Sequence, residues 1–110
     1  MSDAQKAPVK VSFHDPDEFL EELRKDHDRI DRKLLRVTVR RRYVPPFVHV
    51  AIVATAVVGN SVVTLEHRVG EVFAGDEAGS PITGKIQVGL DRLTAEAEKL
   101  GLEVRAGVFE

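Results

Sequence analysis

The segment Gly79–Ile86 is the part of this chain closest to a phosphate-binding motif. It reads GSPITGKI and matches the G-x-x-x-x-G-K pattern of nucleotide-binding loops. That pattern continues with a Ser or Thr that binds Mg²⁺, whereas this chain has Ile86 at that place. Ser80 followed by Pro81 is instead typical of a helix N-terminus, with the serine as cap and the proline in the first turn. We therefore interpret the segment as the start of a helix and expect Lys85 to be solvated.

The histidines are candidates for acid–base chemistry or metal binding. His27 and Asp31 could share one face of a helix, but two ligands are too few for a metal site, and the surrounding residues are charged. His14 precedes a helix cap, which favours a loop residue over a ligand. Because no third group converges with any histidine, we predict neither a metal site nor a catalytic histidine.

The dipeptide Gly59–Asn60 predicts how two strands pair. A two-residue turn of type II′ at this point sets His49 opposite Gly70 and His67 opposite Ile52. The two histidines then lie on opposite faces of the sheet and cannot form one site. We expect His67 to lie among core side chains with a hydrogen-bond partner.

The hydrophobic periodicity predicts the element order β-α-β-β-β-α-β. Asp15 and Pro16 begin a helix that we expect to reach about Lys33, and Pro8 favours an edge position for the first strand. The chain therefore predicts an α+β two-layer sandwich, in which two helices cover one face of a mostly antiparallel sheet of four to five strands. The periodicity does not place the first and last strands within the sheet. The predicted strands span residues 8–13, 34–43, 47–58, 62–73 and 102–109, and the predicted helices span 16–33 and 81–100.

The sheet face opposite the predicted helices is the strongest candidate for a functional surface. Pairing two strands across Pro45–Pro46 sets Arg42 beside His49 and Arg40 beside Ala51. Basic side chains then line the rim of the face, and small side chains run along its centre. The candidate interface or ligand-binding residues are Arg36, Arg40, Arg42, His49, Ala51, Val53, Glu66 and Arg68.

Several functions fit this surface. We favour a small non-enzymatic interaction or small-ligand-binding module that self-associates through the face, because Ala51, Val53 and Thr55 would let two sheets approach. The alternative is RNA or DNA backbone binding by the arginines. Two features count against it, namely the acidic Glu66 and the lack of any aromatic residue nearer the centre of the face than Phe47. A third possibility is an enzyme whose site is shared between subunits. The simplest explanation is a face of solvated ion pairs.

The composition limits the class of protein. A length of 110 residues fits one domain, which we place at residues 8–110 after a flexible leader at residues 1–7. The formal net charge of −2 provides no overall attraction to nucleic acid or to anionic membranes. The chain has no Cys, which excludes disulfides and thiolate metal sites and fits a reducing compartment. We expect a soluble cytoplasmic homo-oligomer with no membrane span, no metal and no cofactor.

Overall fold

The computed structural model describes residues 9–106 as one α+β arrangement of five strands and two α-helices. The predicted order is present, although three short 3₁₀ turns interrupt it. The predicted leader and the end of the predicted last strand lie outside the described residues. The elements are β1 (Val9–Phe13), α1 (Pro16–Lys25), β2 (Leu34–Val44), β3 (Phe47–Val58), β4 (Ser61–Phe73), α2 (Ile82–Lys99) and β5 (Glu103–Ala106), with 3₁₀ turns at His27–Arg29, Asp31–Lys33 and Glu77–Gly79.

The sheet is mixed, so the prediction of a mostly antiparallel sheet was wrong. The strand order is β1-β4-β3-β2-β5. The three central strands form an antiparallel meander, whereas β1 pairs with β4 and β5 pairs with β2 in parallel. The reason lies in the connections, because α1 and α2 each carry the chain back to the end of the sheet where the preceding strand began. The next strand then runs in the same direction as the one before the helix.

Local signals set both hairpins of the meander. Gly59 has φ 59°, the backbone conformation that a type II′ turn requires at its first central residue. The predicted pairing of His67 with Ile52 is confirmed. Across the Pro45–Pro46 turn, the predicted pairing of β2 with β3 is confirmed at every position from Arg36 opposite Thr55 to Arg42 opposite His49.

Helix α1 begins as predicted and ends earlier than predicted. The Asp15 carboxylate accepts a hydrogen bond of 3.0 Å from the backbone N–H of Asp17, as a helix cap does. The helix stops at Lys25 instead of near Lys33. The reason is tertiary, because Ile30 is buried and forms a β-bridge with Val58, which draws the chain out of the helical path and onto the sheet.

Both helices pack on one face of the sheet, which we call the helix face. The β3 side chains on this face are every second residue, and they include Val50, Ile52 and Ala54, all buried. Burial of each large aliphatic side chain contributes about 1.5–3 kcal/mol. The helix residues buried against the sheet are Phe19, Leu20, Leu23, Ile82, Ile86, Leu93 and Ala97.

Helix α2 approaches the sheet closely at Gly89. A Cβ atom placed on Gly89 would lie 2.5 Å from Cδ1 of Ile52, so the absence of a side chain is required for this packing distance. A Cβ atom placed on Gly84, earlier in the same helix, would have no other atom within 4 Å. The register and the helix packing together leave the opposite face of the sheet uncovered by either helix.

Candidate functional site

The uncovered face of the three central strands, which we call the open face, carries the predicted site residues. Strand alternation places one residue from each strand in a series of cross-strand rows on this face. Ordered from the end nearer the Gly59–Asn60 turn to the end at the Pro45–Pro46 turn, the rows are Arg36–Thr55–Thr64, Thr38–Val53–Glu66, Arg40–Ala51–Arg68, Arg42–His49–Glu71 and Val44–Phe47–Phe73.

A β-bulge in β4 corrects the predicted partner of His49. The register shifts between Val50 and Ala51, so that Val69 has no partner on β3 and His49 faces Glu71 instead of Gly70. A bulge inserts one residue and reverses the faces of the residues that follow it. Glu71, which regular alternation would place on the helix face, is therefore on the open face beside His49.

The open face holds a pocket of about 280 Å³, which we call the open-face pocket. Its floor is the small side chain of Ala51, and its walls are long charged or imidazole side chains. The space arises because the floor residue is short while its neighbours on both flanking strands are arginines. The lining residues are His14, Arg40, Arg42, His49, Val50, Ala51, Glu66 and Arg68.

Two carboxylates partly neutralise the arginines of the pocket. Arg40 Nη1 lies 2.7 Å from Oε2 of Glu66, and Arg68 forms an ion pair with Glu71. Nε2 of His49 lies 3.3 Å from Oε1 of the same Glu71. All of these side chains are at least partly exposed, so each ion pair contributes less than about 1 kcal/mol to folding.

Arg42 differs from the other two pocket arginines. Within residues 9–106, no carboxylate lies within ion-pair distance of Arg42. Its guanidinium group is exposed at the rim of the pocket and keeps its hydrogen-bond donors available to a ligand. The pocket therefore combines one available guanidinium group with two others that carboxylates already hold in place.

The structure brings most of the predicted site residues into this pocket. Arg40, Arg42, His49, Ala51, Glu66 and Arg68 line it together. Val53 lines an adjacent groove of about 240 Å³ with Thr55 and Lys10. Arg36 lies at the core end of the face, opposite Thr55, and borders neither space.

The sequence analysis missed three residues of this region. His14 follows β1, and its ring Nδ1 lies 3.1 Å from the backbone oxygen of Glu66. This contact holds the His14 ring at the pocket. Glu71 and Phe73 reach the open face only because of the bulge. Gly70 inside a strand pattern is a recognised sign of a bulge, and it was the one available signal.

The segment Gly79–Ile86 forms a helix start, as predicted. Ser80 Oγ accepts a hydrogen bond of 3.1 Å from the backbone N–H of Ile82, and Lys85 is exposed. The preceding turn is tied to β2, since Arg41 Nε donates to both Glu77 carboxylate oxygens at 2.9 and 2.8 Å. These hydrogen bonds lower the pKa of Glu77 and raise the pKa of Arg41.

The remaining histidines lie away from the open-face pocket. Nδ1 of His27 lies 3.2 Å from the Arg24 backbone oxygen, near the end of α1. His67 is on the helix face as predicted and lines a pocket of about 210 Å³ between α2, the start of α1 and the sheet, where its ring has no hydrogen bond to another described residue. It lies half-buried beside the core residues Ile52 and Leu93, so of the prediction only the expected hydrogen-bond partner was wrong. No three metal-ligating side chains form a cluster within the described range.

The fold and the open-face pocket define a mixed-sheet α+β protein with a basic, partly neutralised site on its uncovered face. The chain matches no protein-family model, and no curated protein sequence or solved structure is significantly similar to it. Neither helix of the described part of the chain is long and apolar enough to cross a bilayer.

Proposed function

We propose that the protein is a non-enzymatic binding module whose open-face pocket holds a small anionic ligand, with a carboxylate or phosphate group as the recognised chemistry. The observation that carries this proposal is the convergence of Arg40, Arg42 and Arg68 on one pocket in which Arg42 has no acidic partner among the described residues. A guanidinium group presents a rigid fork of donors that fits carboxylate and phosphate oxygens.

The charge of the pocket supports a ligand of low charge. The positive charges of Arg40, Arg42 and Arg68 are opposed by Glu66 and Glu71, which leaves one excess positive charge when the histidines are neutral. The two carboxylates also fix the Arg40 and Arg68 side chains, which reduces the conformational entropy lost when a ligand binds. The pocket volume of about 280 Å³ is just below the range of about 300–1,000 Å³ that is usual for drug-sized ligands, which fits a smaller molecule.

Self-association through the central strip and nucleic-acid backbone binding are less well supported. Ala51, Val53 and Thr55 are only 9%, 6% and 5% exposed in a single chain, so a second sheet would have little further apolar area to cover. Glu66 and Glu71 would repel a phosphate backbone laid along the face. An enzyme site shared between subunits has no observation in its favour.

Titration calorimetry at low salt with inorganic phosphate and with acetate tests the proposal. Arg42→Gln should weaken anion binding by tenfold or more, because a charge-assisted hydrogen bond contributes about 1.5–3 kcal/mol. Glu71→Gln should strengthen binding, because the removal of a negative charge beside the pocket outweighs the loss of the contact that orients Arg68. Arg24→Gln, which removes an exposed arginine of α1 that pairs with Glu21, is the matched control and should change nothing.

Two results would overturn this function. The first is that neither phosphate nor acetate shows saturable binding. The second is that anion binding occurs but Arg42→Gln leaves its affinity unchanged. Light scattering on the same samples measures the mass, and a dimer that dissociates when Arg40 is reversed in charge would favour self-association instead.

A further inference from the structure

An aromatic pair, in which Phe73 is exposed and Phe47 is half-buried, lies at the Pro45–Pro46 end of the open face. Phe47 and Phe73 are directly opposite each other on β3 and β4, with ring centroids 4.8 Å apart and ring planes tilted by 35°. Phe73 is 56% exposed, and the neighbouring Val44 is 39% exposed. Neither ring belongs to the apolar clusters that hold the helices on the sheet. The pair therefore leaves aromatic surface available for contact.

The aromatic pair is adjacent to the open-face pocket. Phe47 is two residues from His49 along β3, and Phe73 is two residues from Glu71 along β4, so both rings follow the row that contains Arg42. Two strand residues span about 7 Å. A small organic molecule that places its anionic group at Arg42 can therefore reach the rings with an adjoining part of the same molecule.

The β-bulge is what joins these two features. If β4 had no bulge, Val69 would pair with Val50, and alternation along the same sequence would put Phe73 on the helix face and leave Phe47 as the one described ring at this end of the open face. The same shift places Glu71 beside His49. One irregularity thus assembles both the charged part and the aromatic part of the surface.

We propose that the ligand of the open-face pocket is an aromatic anion, in which a planar ring stacks against Phe47 and Phe73 while a phosphate or carboxylate group binds Arg42. This inference rests on the anion binding proposed above and names the class of its ligand. Stacking of a planar ring on an aromatic side chain contributes about 1–3 kcal/mol, or about 5- to 150-fold in affinity, for a nucleic-acid base, and it tolerates different planar partners. An apolar ligand without charge would leave Arg42 unused, and an inorganic anion would leave the rings unused.

The test compares three probes by titration calorimetry: inorganic phosphate, methyl phosphate and phenyl phosphate. Phenyl phosphate should bind about tenfold more tightly than methyl phosphate. Phe73→Ala should remove that advantage and leave the affinity for methyl phosphate unchanged, whereas Arg42→Gln should weaken all three probes. Val88→Ala, which truncates an apolar residue of α2 that is 70% exposed, is the control and should have no effect.

The outcomes separate this inference from the function on which it rests. If the phosphates bind through Arg42 but the phenyl group adds no affinity, the aromatic ligand is wrong and the anion site stands. If neither the phosphates nor acetate bind, both fail. If phenyl phosphate depends on Phe73 but not on Arg42, the rings form a separate surface and the shared site is overturned.

Two further measurements address macromolecular occupants of the same surface. A single-stranded oligonucleotide that binds with the same dependence on Phe73 and Arg42, while phenyl phosphate does not bind, would overturn the small-molecule ligand in favour of nucleic acid. A dimer in light scattering that Phe73→Ala converts to monomer would assign the rings to a second copy of the chain. Because Phe73 packs on Phe47 but is more than half exposed, its truncation should lower the stability by only about 1 kcal/mol, a shift of several degrees in the unfolding midpoint, and leave the chain folded, which circular dichroism verifies.

Discussion

Two glycines of α2 form a matched pair for which alanine substitution has different expected outcomes. In a helix, Gly→Ala stabilises by roughly 0.5–1 kcal/mol, because alanine restricts the unfolded chain and favours the helical backbone. A Cβ atom on Gly84 has nothing within 4 Å, so Gly84→Ala should show this gain. A Cβ atom on Gly89 would lie 2.5 Å from Cδ1 of Ile52, so that methyl group must move.

The contact with Ile52 should cancel or exceed the gain at Gly89. Ile52 is 1% exposed, and overpacking a core costs about 1–3 kcal/mol. The lower half of that range applies, because the displaced atom is the end of a side chain and not backbone. Gly89→Ala should therefore be neutral or destabilising by about 1 kcal/mol, and at least about 1 kcal/mol less stable than Gly84→Ala.

Ile52→Val tests whether this contact is the cause. Removing the δ-methyl group normally costs about 0.5–1.5 kcal/mol. In the Gly89→Ala background the same substitution also removes the clash, so its loss should shrink toward zero. The two substitutions should thus show a favourable coupling free energy of about the size of the contact penalty.

Urea unfolding followed by far-UV circular dichroism is the appropriate assay, because the chain has no Trp and one Tyr. The stability differences appear as shifts in the unfolding midpoint at a constant m-value. Equal stabilisation by the two alanine substitutions would refute the close contact at Gly89. The close contact would also be refuted if Ile52→Val lowered the stability as much in the Gly89→Ala background as in the wild type.

Further predictions concern pH and register. Glu77→Gln should lower the stability at about pH 7 by less than about 1 kcal/mol, and the difference from wild type should vanish in acid. The sign follows from the lowered pKa of Glu77, since its contribution is present above the unfolded pKa of about 4.3 and is lost as the pH falls through the folded pKa. Urea midpoints between about pH 7 and pH 2 measure this difference, and its persistence at the acid end would contradict the ion pair as its source. Ile52→Ala should destabilise by about 2–5 kcal/mol and His49→Ala by much less. Comparable losses in thermal unfolding would contradict the assignment of these residues to opposite faces.

Short-range signals predicted the elements and the central strand pairs. Asp15 determines where α1 begins because its side chain supplies a hydrogen bond to a helix N–H group that has no partner in the helix. Gly59 determines the register of β3 and β4 near the turn because few other residues adopt its backbone conformation. These interactions span only a few residues, so the sequence shows them directly. The rows that cross Ala51 and Val53 followed from that register.

Long-range interactions account for what the sequence did not predict. The parallel placement of β1 and β5 depends on the path of each helix over the sheet, which no local pattern encodes. Ile30 leaves the helix to pair with Val58, a contact between residues far apart in the chain. For the candidate site, Gly70 signals a bulge in β4, but the pattern does not show which residue is inserted. The positions of Glu71 and Phe73 therefore had to come from the structure.

The bulge in β4 also lies on an unpaired part of the sheet edge. β1 pairs with β4 only over Ser61–Leu65, and no strand among residues 9–106 covers the outer edge of β4 beyond that range. A straight exposed edge is a template for another chain, and bulges and charged side chains make such an edge a poor template. Val69 interrupts this edge, with Arg68 before it and Glu71 two residues after it. Deleting Val69 would therefore give a regular edge while Glu71 stays opposite His49 and Phe73 stays opposite Phe47, so that intermolecular strand pairing should increase with the binding surface still assembled.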